Sequence, residues 1–201
     1  AIETFEEMLR HRPDLHQARF YLGSALERTE RFADALREFS KIPESSEFYD
    51  EAMAHRGYLL HRLGRSGEAV ALVEKLLAKE EARPELFTFL SALYEEQADI
   101  PQALKVLERG LRIFSDEGSL LYHQGVLHER NKNRDQAIEA MRKVVELDPE
   151  HAEALNFLAY IYAEEGMQLE EALDMVSRAL ELKPEGHIID TLGWVYFKLG
   201  R

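Results

Sequence analysis

The chain has 201 residues, of which 45% are hydrophobic and 31% are charged, a balance typical of globular rather than disordered proteins. Its 38 acidic and 25 basic residues give a formal net charge of −13, which disfavours a nucleic-acid partner because phosphate binding needs clustered lysine and arginine. The lack of cysteine excludes disulfides and thiolate metal sites, and no apolar run approaches the roughly 20 residues of a membrane-spanning helix.

Small side chains recur at a fixed 34-residue period through the whole chain. The six positions are Gly23, Gly57, Ser91, Gly125, Ala159 and Gly193. A period of this length is typical of helical repeat proteins, in which each unit contacts only its neighbours. The sequence therefore predicts a stack of repeats rather than a domain with one central core.

In chain order, residues 1–15 are typical of the second helix of a repeat, because Ala1, Phe5 and Met8 fall on its packing positions. Five full units follow, each with two helical periodicities separated by a break, over residues 16–49, 50–83, 84–117, 118–151 and 152–185. Residues 186–201 form a first helix without its second. The pattern predicts about twelve helices in antiparallel pairs, within a single array over residues 1–201 that is itself a piece of a longer one.

Two irregularities interrupt the period. Pro43 falls inside an expected second helix and should end it early, which leaves residues 43–47 as a loop. One extra residue among positions 167–169 moves the small residue of the next helix to Ala172. Elsewhere the breaks have suitable turn chemistry, since Gly64 and Gly166 can adopt a left-handed conformation after a helix end.

The unit of residues 152–185 shows the most complete pattern, with Leu158, Ala159, Tyr162, Ala172, Ala179 and Pro184. The preceding unit has Gly125, Ala137 and Pro149 at the matching positions. This pattern resembles the tetratricopeptide-repeat (TPR) family over the whole chain. The resemblance implies an all-α, right-handed superhelical solenoid of helix-turn-helix repeats whose first helices line a concave face. Residues 154–201 are also similar to TPR proteins of Gram-negative bacteria, some exported or lipid-anchored, so that resemblance alone favours a periplasmic over a cytoplasmic location.

No motif for catalysis, metal binding or cofactor binding is present. The sequence has no phosphate-binding loop, dinucleotide glycine motif, nucleophile elbow or HExxH. None of the eight histidines pairs with another at the i,i+4 spacing that points two ligands in one direction. His128 occupies the tyrosine position of the family, which favours packing between helices. We therefore expect no enzyme activity, no metal and no cofactor.

The resemblance places the partner-binding face on the fifth, ninth and twelfth positions, among others, of the first helices. Carried onto this sequence, the candidate residues are Phe20, Ser24, Glu27, Tyr58, His61, Thr88, Glu95, Tyr122, Glu129, Asn156, Tyr160 and Trp194. One subclass of the family binds the C-terminal carboxylate of its partner through lysine and asparagine side chains on the first helices. This sequence has no such lysine and asparagine pattern at those positions, so we do not expect that mode of binding. Aromatic rings with polar tips beside carboxylates predict a scaffold for a protein or peptide partner, with a basic segment as the favoured ligand. The alternative is that the rings pack between adjacent first helices and expose only their edges.

A second interpretation of the function is that the array is a spacer, a self-association module or an accessory segment of a larger protein. The helix that carries Trp194 is apolar on nearly every side, with Ile189, Tyr196 and Phe197 among its side chains. Such a helix should be buried on several sides. The sequence therefore predicts self-association through the terminal half repeats.

Overall fold

The computed structural model describes residues 1–78 and 83–201, which form twelve α-helices and contain no β-strand. This confirms the predicted all-α class. The chain divides into two compact units, Ala1–Gln97 and Ala98–Arg201. The end of the predicted 50–83 unit, at residues 79–82, lies outside the described residues, and the single array over residues 1–201 stays a prediction.

The first unit contains six helices, and each packs against the next along the chain. They are α1 (Ile2–His11), α2 (His16–Arg28), α3 (Phe32–Phe39), α4 (Tyr49–Arg62), α5 (Ser66–Leu77) and α6 (Pro84–Glu96). Their core joins the apolar faces of neighbouring helices, with Leu26, Phe39 and Leu59 among the buried side chains. Because these helices are short, the stability of each depends on this packing rather than on helix propensity.

The second unit also contains six helices that pack in chain order, and α10 additionally contacts α12. They are α7 (Ile100–Ile113), α8 (Gly118–Arg130), α9 (Arg134–Leu147), α10 (Ala152–Glu165), α11 (Leu169–Leu182) and α12 (Gly186–Lys198). Tyr162, Leu155 and Met141 are fully buried in its core. His128 is buried on α8, in agreement with its predicted packing role, and burial lowers its pKa because the charged form is disfavoured there.

A left-handed residue ends every first helix. These residues are spaced 34 apart, with φ between +59° and +72°, and they are Glu30, Gly64, Ala98, Lys132, Gly166 and Gly200. The predicted turns at Gly64 and Gly166 are therefore confirmed. At the other three internal positions, Glu30, Ala98 and Lys132, the backbone is strained. An L-residue in this conformation brings its Cβ close to the following carbonyl oxygen.

A close contact between the two helices of a repeat explains why small residues recur with the period. A Cβ added at Gly23 would lie 2.8 Å from two ring carbons of Phe39, and one at Gly125 would lie 2.8 Å from Met141 Cε. At Gly57 the nearest atoms are 3.2 Å away on Phe89 and 3.3 Å away on Val73. A large second-helix side chain thus occupies the space above Gly23 and Gly125, whereas Gly57 is approached by Phe89 of the next first helix and by Val73 of its own second helix.

Both predicted irregularities are confirmed. The helix α3 ends at Phe39 and α4 begins at Tyr49, so the loop contains Pro43 and is longer than the predicted residues 43–47. The extra residue before α11 is accommodated at Gln168, which caps the helix in a left-handed conformation with φ of +50°. This turn returns Ala172 to a buried packing position.

The left-handed turns generate a prediction about stability. Replacing Lys132 by glycine should stabilise the second unit by about 0.5–1 kcal/mol, because the relieved backbone strain exceeds the added entropy of the unfolded chain. Gly64→Ala should destabilise the first unit by about 1 kcal/mol, since no atom within 4 Å of the new Cβ adds another effect. Urea titrations followed by circular dichroism measure both.

The control for this pair is Gly67→Ala, at a helical glycine in α5 that also has nothing within 4 Å of an added Cβ. Alanine there should stabilise the protein by up to about 1 kcal/mol through helix propensity. Equal effects of alanine at Gly64 and at Gly67 would contradict the strain argument.

The glycine contacts generate a second prediction. Gly23→Ala should destabilise the protein by about 1–3 kcal/mol, because Phe39 is fully buried and cannot move aside. Gly193→Ala has nothing within 4 Å and should stabilise α12 by up to about 1 kcal/mol. Shortening the opposing side chain with Phe39→Leu in the Gly23→Ala protein should recover part of the loss, as a double-mutant cycle would show. Independent, additive effects of the two substitutions would argue against this contact.

Candidate functional site

The predicted partner-binding residues fall on the first helices of the repeats and divide between the two units. The first-helix row of unit 1 consists of Phe20, Ser24, Glu27, Tyr58, His61, Thr88 and Glu95, on α2, α4 and α6. The first-helix row of unit 2 consists of Tyr122, Glu129, Asn156, Tyr160 and Trp194, on α8, α10 and α12. Each row lies within one unit.

Phe20 is buried, so its ring serves packing. Its ring centroid lies 5.4 Å from that of Phe48, 5.5 Å from that of Phe39 and 5.6 Å from the imidazole of His55. Phe48 reaches this cluster from the long loop before α4. At this position the structure supports the alternative that the aromatic ring packs between neighbouring helices.

The acidic residue Glu27 is engaged inside the first unit. One of its carboxylate oxygens lies 2.7 Å from His55 Nδ1, which connects α2 to α4. The imidazole stacks on Phe39 with 5.0 Å between ring centroids. Ser24, one turn before Glu27, donates its hydroxyl to the carbonyl of Phe20. This end of the row is therefore fixed by internal contacts.

Tyr58 is the exposed aromatic residue of this row, with 37% of its surface accessible. Arg62 donates a hydrogen bond of 2.7 Å to its hydroxyl oxygen. The guanidinium of Arg62 is itself held over the ring of Phe32, 4.7 Å from the centroid. Sequence reasoning missed Arg62, although its i,i+4 spacing from Tyr58 is the signal that could have found it.

Two clefts lie on either side of Tyr58. The first has a volume of about 320 Å³ and an apolar floor, and it is lined by Ala54, Tyr58, Arg83, Glu85, Leu86 and Phe89. The second, of about 390 Å³, is more polar and includes Ser24, Glu27, His55 and Arg62. Tyr58 forms a wall shared by both clefts.

The remaining residues of the first row contact their own surroundings. His61 Nδ1 lies 3.3 Å from a Glu96 carboxylate oxygen, but without hydrogen-bond geometry. Its ring meets the edge of Phe89, a residue of the apolar cleft. Thr88 donates its hydroxyl to the carbonyl of Glu85. Glu95 is partly buried and has a partner of its own. His61, Thr88 and Glu95 therefore lie near the apolar cleft beside Tyr58 and are not part of its lining.

In the second unit, Tyr122 stacks on His151 with 5.2 Å between ring centroids. Burial and the nearby Glu153 carboxylate raise the pKa of Tyr122, because both disfavour the phenolate. Lys183 Nζ lies 2.6 Å from Glu153 and 3.0 Å from Glu185, and these hydrogen bonds raise its pKa to about 12. The same contact with Lys183 lowers the pKa of Glu153. All three groups are thus held in one charge state near neutral pH.

The other end of this row is aromatic. Trp194 stacks on Phe197 with 5.2 Å between ring centroids, and Lys198 Nζ lies 4.9 Å from the centre of the indole. Tyr160, on α10, is 44% exposed. Asn156 Oδ1 and Trp194 Nε1 are buried and have no hydrogen-bond partner among the described residues. Phe197 and Lys198 were absent from the predicted set.

Most predicted carboxylates are already paired. Glu27 contacts His55, and Arg134 lies 3.4 Å from Glu129 while also binding Glu165. The local charge of the two rows is therefore more balanced than the sequence suggested. Within residues 1–78 and 83–201, no three His, Asp or Glu side chains converge in a way that could hold a metal ion. None of the helices in these ranges combines the length and apolar character needed to cross a bilayer.

Comparison with known proteins agrees with the repeat pattern. The family model described as "Tetratricopeptide repeat" matches residues 1–49, 91–149 and 124–187. TPR repeat-containing protein PA4667 of Pseudomonas aeruginosa is 27% identical over 192 residues, which cover 92% of this chain and 31% of that protein. The chain thus spans about a third of the length of this relative.

Two further similarities show the range of proteins that contain such arrays. Protein O-mannosyl-transferase TMTC1 of Homo sapiens is 24% identical over 179 residues, which are 84% of this chain and 19% of that protein. The crystal structure of YrrB, described as a TPR protein with an unusual peptide-binding site, superposes with a TM-score of 0.64 and 21% identity, covering 94% of this chain and 96% of YrrB.

The helix pairs, their 34-residue period and the family match lead to one conclusion: the chain belongs to the tetratricopeptide-repeat family and has its all-α solenoid fold, a fold consistent with a scaffold for protein–protein interaction.

Proposed function

We propose that this chain is a non-enzymatic scaffold that binds a protein or peptide segment on the concave face formed by its first helices. The observation that carries the proposal is the apolar cleft beside Tyr58 in the first unit. Leu86 and Phe89 form its floor, and Tyr58 forms a wall whose hydroxyl group is held in place by Arg62. Such a combination is typical of sites that bind one anchoring side chain of a partner.

The cleft suits a large apolar side chain of the ligand. Its volume of about 320 Å³ exceeds that of one such side chain, and burying it would contribute about 1.5–3 kcal/mol. Arg62 donates to the hydroxyl oxygen of Tyr58, which leaves the hydroxyl hydrogen available for a carbonyl of the ligand. Because Arg62 holds the Tyr58 hydroxyl and is itself held over the ring of Phe32, little side-chain entropy is lost on binding.

The second unit contributes a separate contact surface. The ring of Tyr160 is exposed, and the stacked pair of Trp194 and Phe197 presents aromatic area on α12. Aromatic side chains of this kind supply contact area at a low entropy cost. We propose that they contact a different part of the same partner or a second segment, with Asn156 as the nearby polar residue of α10.

The partner is proposed to be basic, and the reason is the charge of the whole chain. With a net charge of −13, the molecule attracts cationic segments from a distance and raises their association rate. The paired state of Glu27 and Glu129 means that these carboxylates steer the ligand more than they anchor it. The affinity is assigned mainly to the apolar cleft.

The relatives give this proposal its context. YrrB has a peptide-binding site by its own description, and TPR proteins in general are non-catalytic scaffolds. TMTC1 is a transferase by name, but the present chain corresponds to 19% of it. An accessory role beside a catalytic domain is the second candidate, and in it the array would again act by holding a protein segment.

A peptide library displayed on phage tests the proposal and selects the favoured ligand in the same experiment. Selection on the chain should enrich peptides with a large apolar residue flanked by lysine or arginine. For an enriched peptide, Tyr58→Ala should weaken binding by about 10–100-fold, because an aromatic anchor and a hydrogen bond are lost. Filling the cleft with Ala54→Trp should weaken binding by a similar factor. Isothermal titration calorimetry measures both affinities.

The matched control is Ile113→Ala, which removes an exposed apolar side chain on α7, outside both first-helix rows. It should change the affinity less than about twofold. Circular dichroism establishes that each variant keeps its helices. Binding that survives both Tyr58→Ala and Ala54→Trp would overturn the cleft as the anchor, and enrichment of acidic peptides would overturn the charge preference.

A further inference from the structure

The apolar cleft beside Tyr58 has an equivalent place in the second unit, two repeat periods later in the chain. Three residues that line the cleft have these counterparts: Ala54 corresponds to Tyr122, Arg83 to His151 and Glu85 to Glu153. In both units the residues belong to two successive first helices or to the residue before the second of them. The contacts that the chain makes with itself in the second unit therefore indicate which groups fit the cleft of the first.

In the second unit this place holds an aromatic ring. Tyr122 stacks on His151, with 5.2 Å between ring centroids and 27° between the ring planes. Ala54 has only a methyl group at the position of Tyr122, and the cleft of about 320 Å³ lies beside it. The cleft thus offers a ligand the kind of space that the chain's own tyrosine occupies in the other unit.

The lining of the cleft favours an aromatic over an aliphatic side chain. Arg83 takes the place of His151, and a guanidinium stacks on the face of an aromatic ring as an imidazole does. Phe89 adds an aromatic ring to the floor. A leucine or isoleucine would fill the same volume but would gain no stacking with Arg83.

The counterpart of Glu85 binds a lysine of the chain itself. Lys183 Nζ lies 2.6 Å from the Glu153 carboxylate. Once the extra residue before α11 is counted, the position of Lys183 in the repeat of Glu85 holds Phe114, which has no charge. The chain therefore supplies the cation for Glu153 but supplies none at the matching position for Glu85.

The Glu85 carboxylate is available to a ligand. Within residues 1–78 and 83–201 it has no hydrogen-bond or ion-pair partner, although Arg83 is only two residues away. Side chains two apart at a helix start do not face each other, whereas those three apart do, as Arg65 and Glu68 show with 2.7 Å between their charged groups. Both Arg83 and Glu85 line the cleft, so each can contact its occupant separately.

We propose, building on the function proposed above, that the cleft selects a partner segment in which an aromatic residue lies close to a lysine or arginine. The aromatic ring enters the cleft between Arg83 and Phe89, and the neighbouring cation binds the Glu85 carboxylate. Glu85 is thereby the residue that determines the basic preference at this site, beyond the steering by the net charge of −13.

Phage selection on variants that differ by one charge tests this assignment. Glu85→Gln and Glu146→Gln each remove one negative charge, and Glu146 is an exposed residue of α9 outside both first-helix rows. The unmodified chain and Glu146→Gln should both enrich peptides with an aromatic residue close to lysine or arginine. Glu85→Gln should still enrich the aromatic residue but should lose the preference for the basic one.

Calorimetry on one enriched peptide gives the coupling between the two charges. Replacing the peptide's lysine or arginine by alanine should weaken binding about 3–10-fold to the unmodified chain and to Glu146→Gln, but less than about twofold to Glu85→Gln. Replacing its aromatic residue by leucine should weaken binding about threefold, because the stacking on Arg83 is lost. Circular dichroism establishes that each variant keeps its helices.

The outcomes separate this inference from the proposed function. If the peptide's cation matters equally to Glu85→Gln and Glu146→Gln, Glu85 is not its partner, and the cleft still stands as the anchor site. Equal enrichment of aliphatic and aromatic residues would overturn the aromatic preference. If no peptide with a large apolar residue is enriched on the unmodified chain, the proposed function fails and this inference fails with it.

Discussion

The contact on which this fold depends is that of a large second-helix side chain with a small residue of the first helix. At Gly23 and Gly125 the approach is so close that a single added carbon would overlap Phe39 or Met141. Close packing at this point fixes the distance and rotation of the two helices in a repeat. Because a small residue recurs at this position with the repeat period, successive hairpins can make the same close approach.

This packing also decides which side chains can meet a partner. The faces of the first helices used against the second helices are buried, as Leu59 and Leu155 show. What remains outside includes the two first-helix rows, one in each unit, in which Tyr58 and Tyr160 are the most exposed rings. Contacts such as that of Arg62 with Tyr58 keep this surface in one arrangement. The proposed site is therefore preorganised by the same helices that stabilise the fold, which would limit the entropy cost of binding a partner.

Much of the fold could be predicted from the sequence because it depends on local rules. Helical periodicity gave the twelve helices, Pro43 gave the early end of α3, and the glycine at 64 gave its left-handed turn. The equivalent turns at Glu30 and Lys132 carry no glycine, so only the repeat period marks them.

The candidate site was less predictable because it depends on which side chains of neighbouring helices meet. The burial of Phe20 results partly from Phe48, which the long loop before α4 brings to it. The pairing of Glu27 with His55 joins residues on two different first helices. Neither contact can be inferred from the spacing of residues along a single helix. The sequence pattern was therefore compatible both with an exposed ring at Phe20 and with a packed one.

Hydrogen exchange of the chain with and without a bound peptide tests the central claim most directly, since it reports where a partner lies along the whole array. We predict that slower exchange on binding concentrates in α4 and α6, the helices that form the cleft beside Tyr58. Protection confined to α3 and α5, with none in these first helices, would contradict this claim.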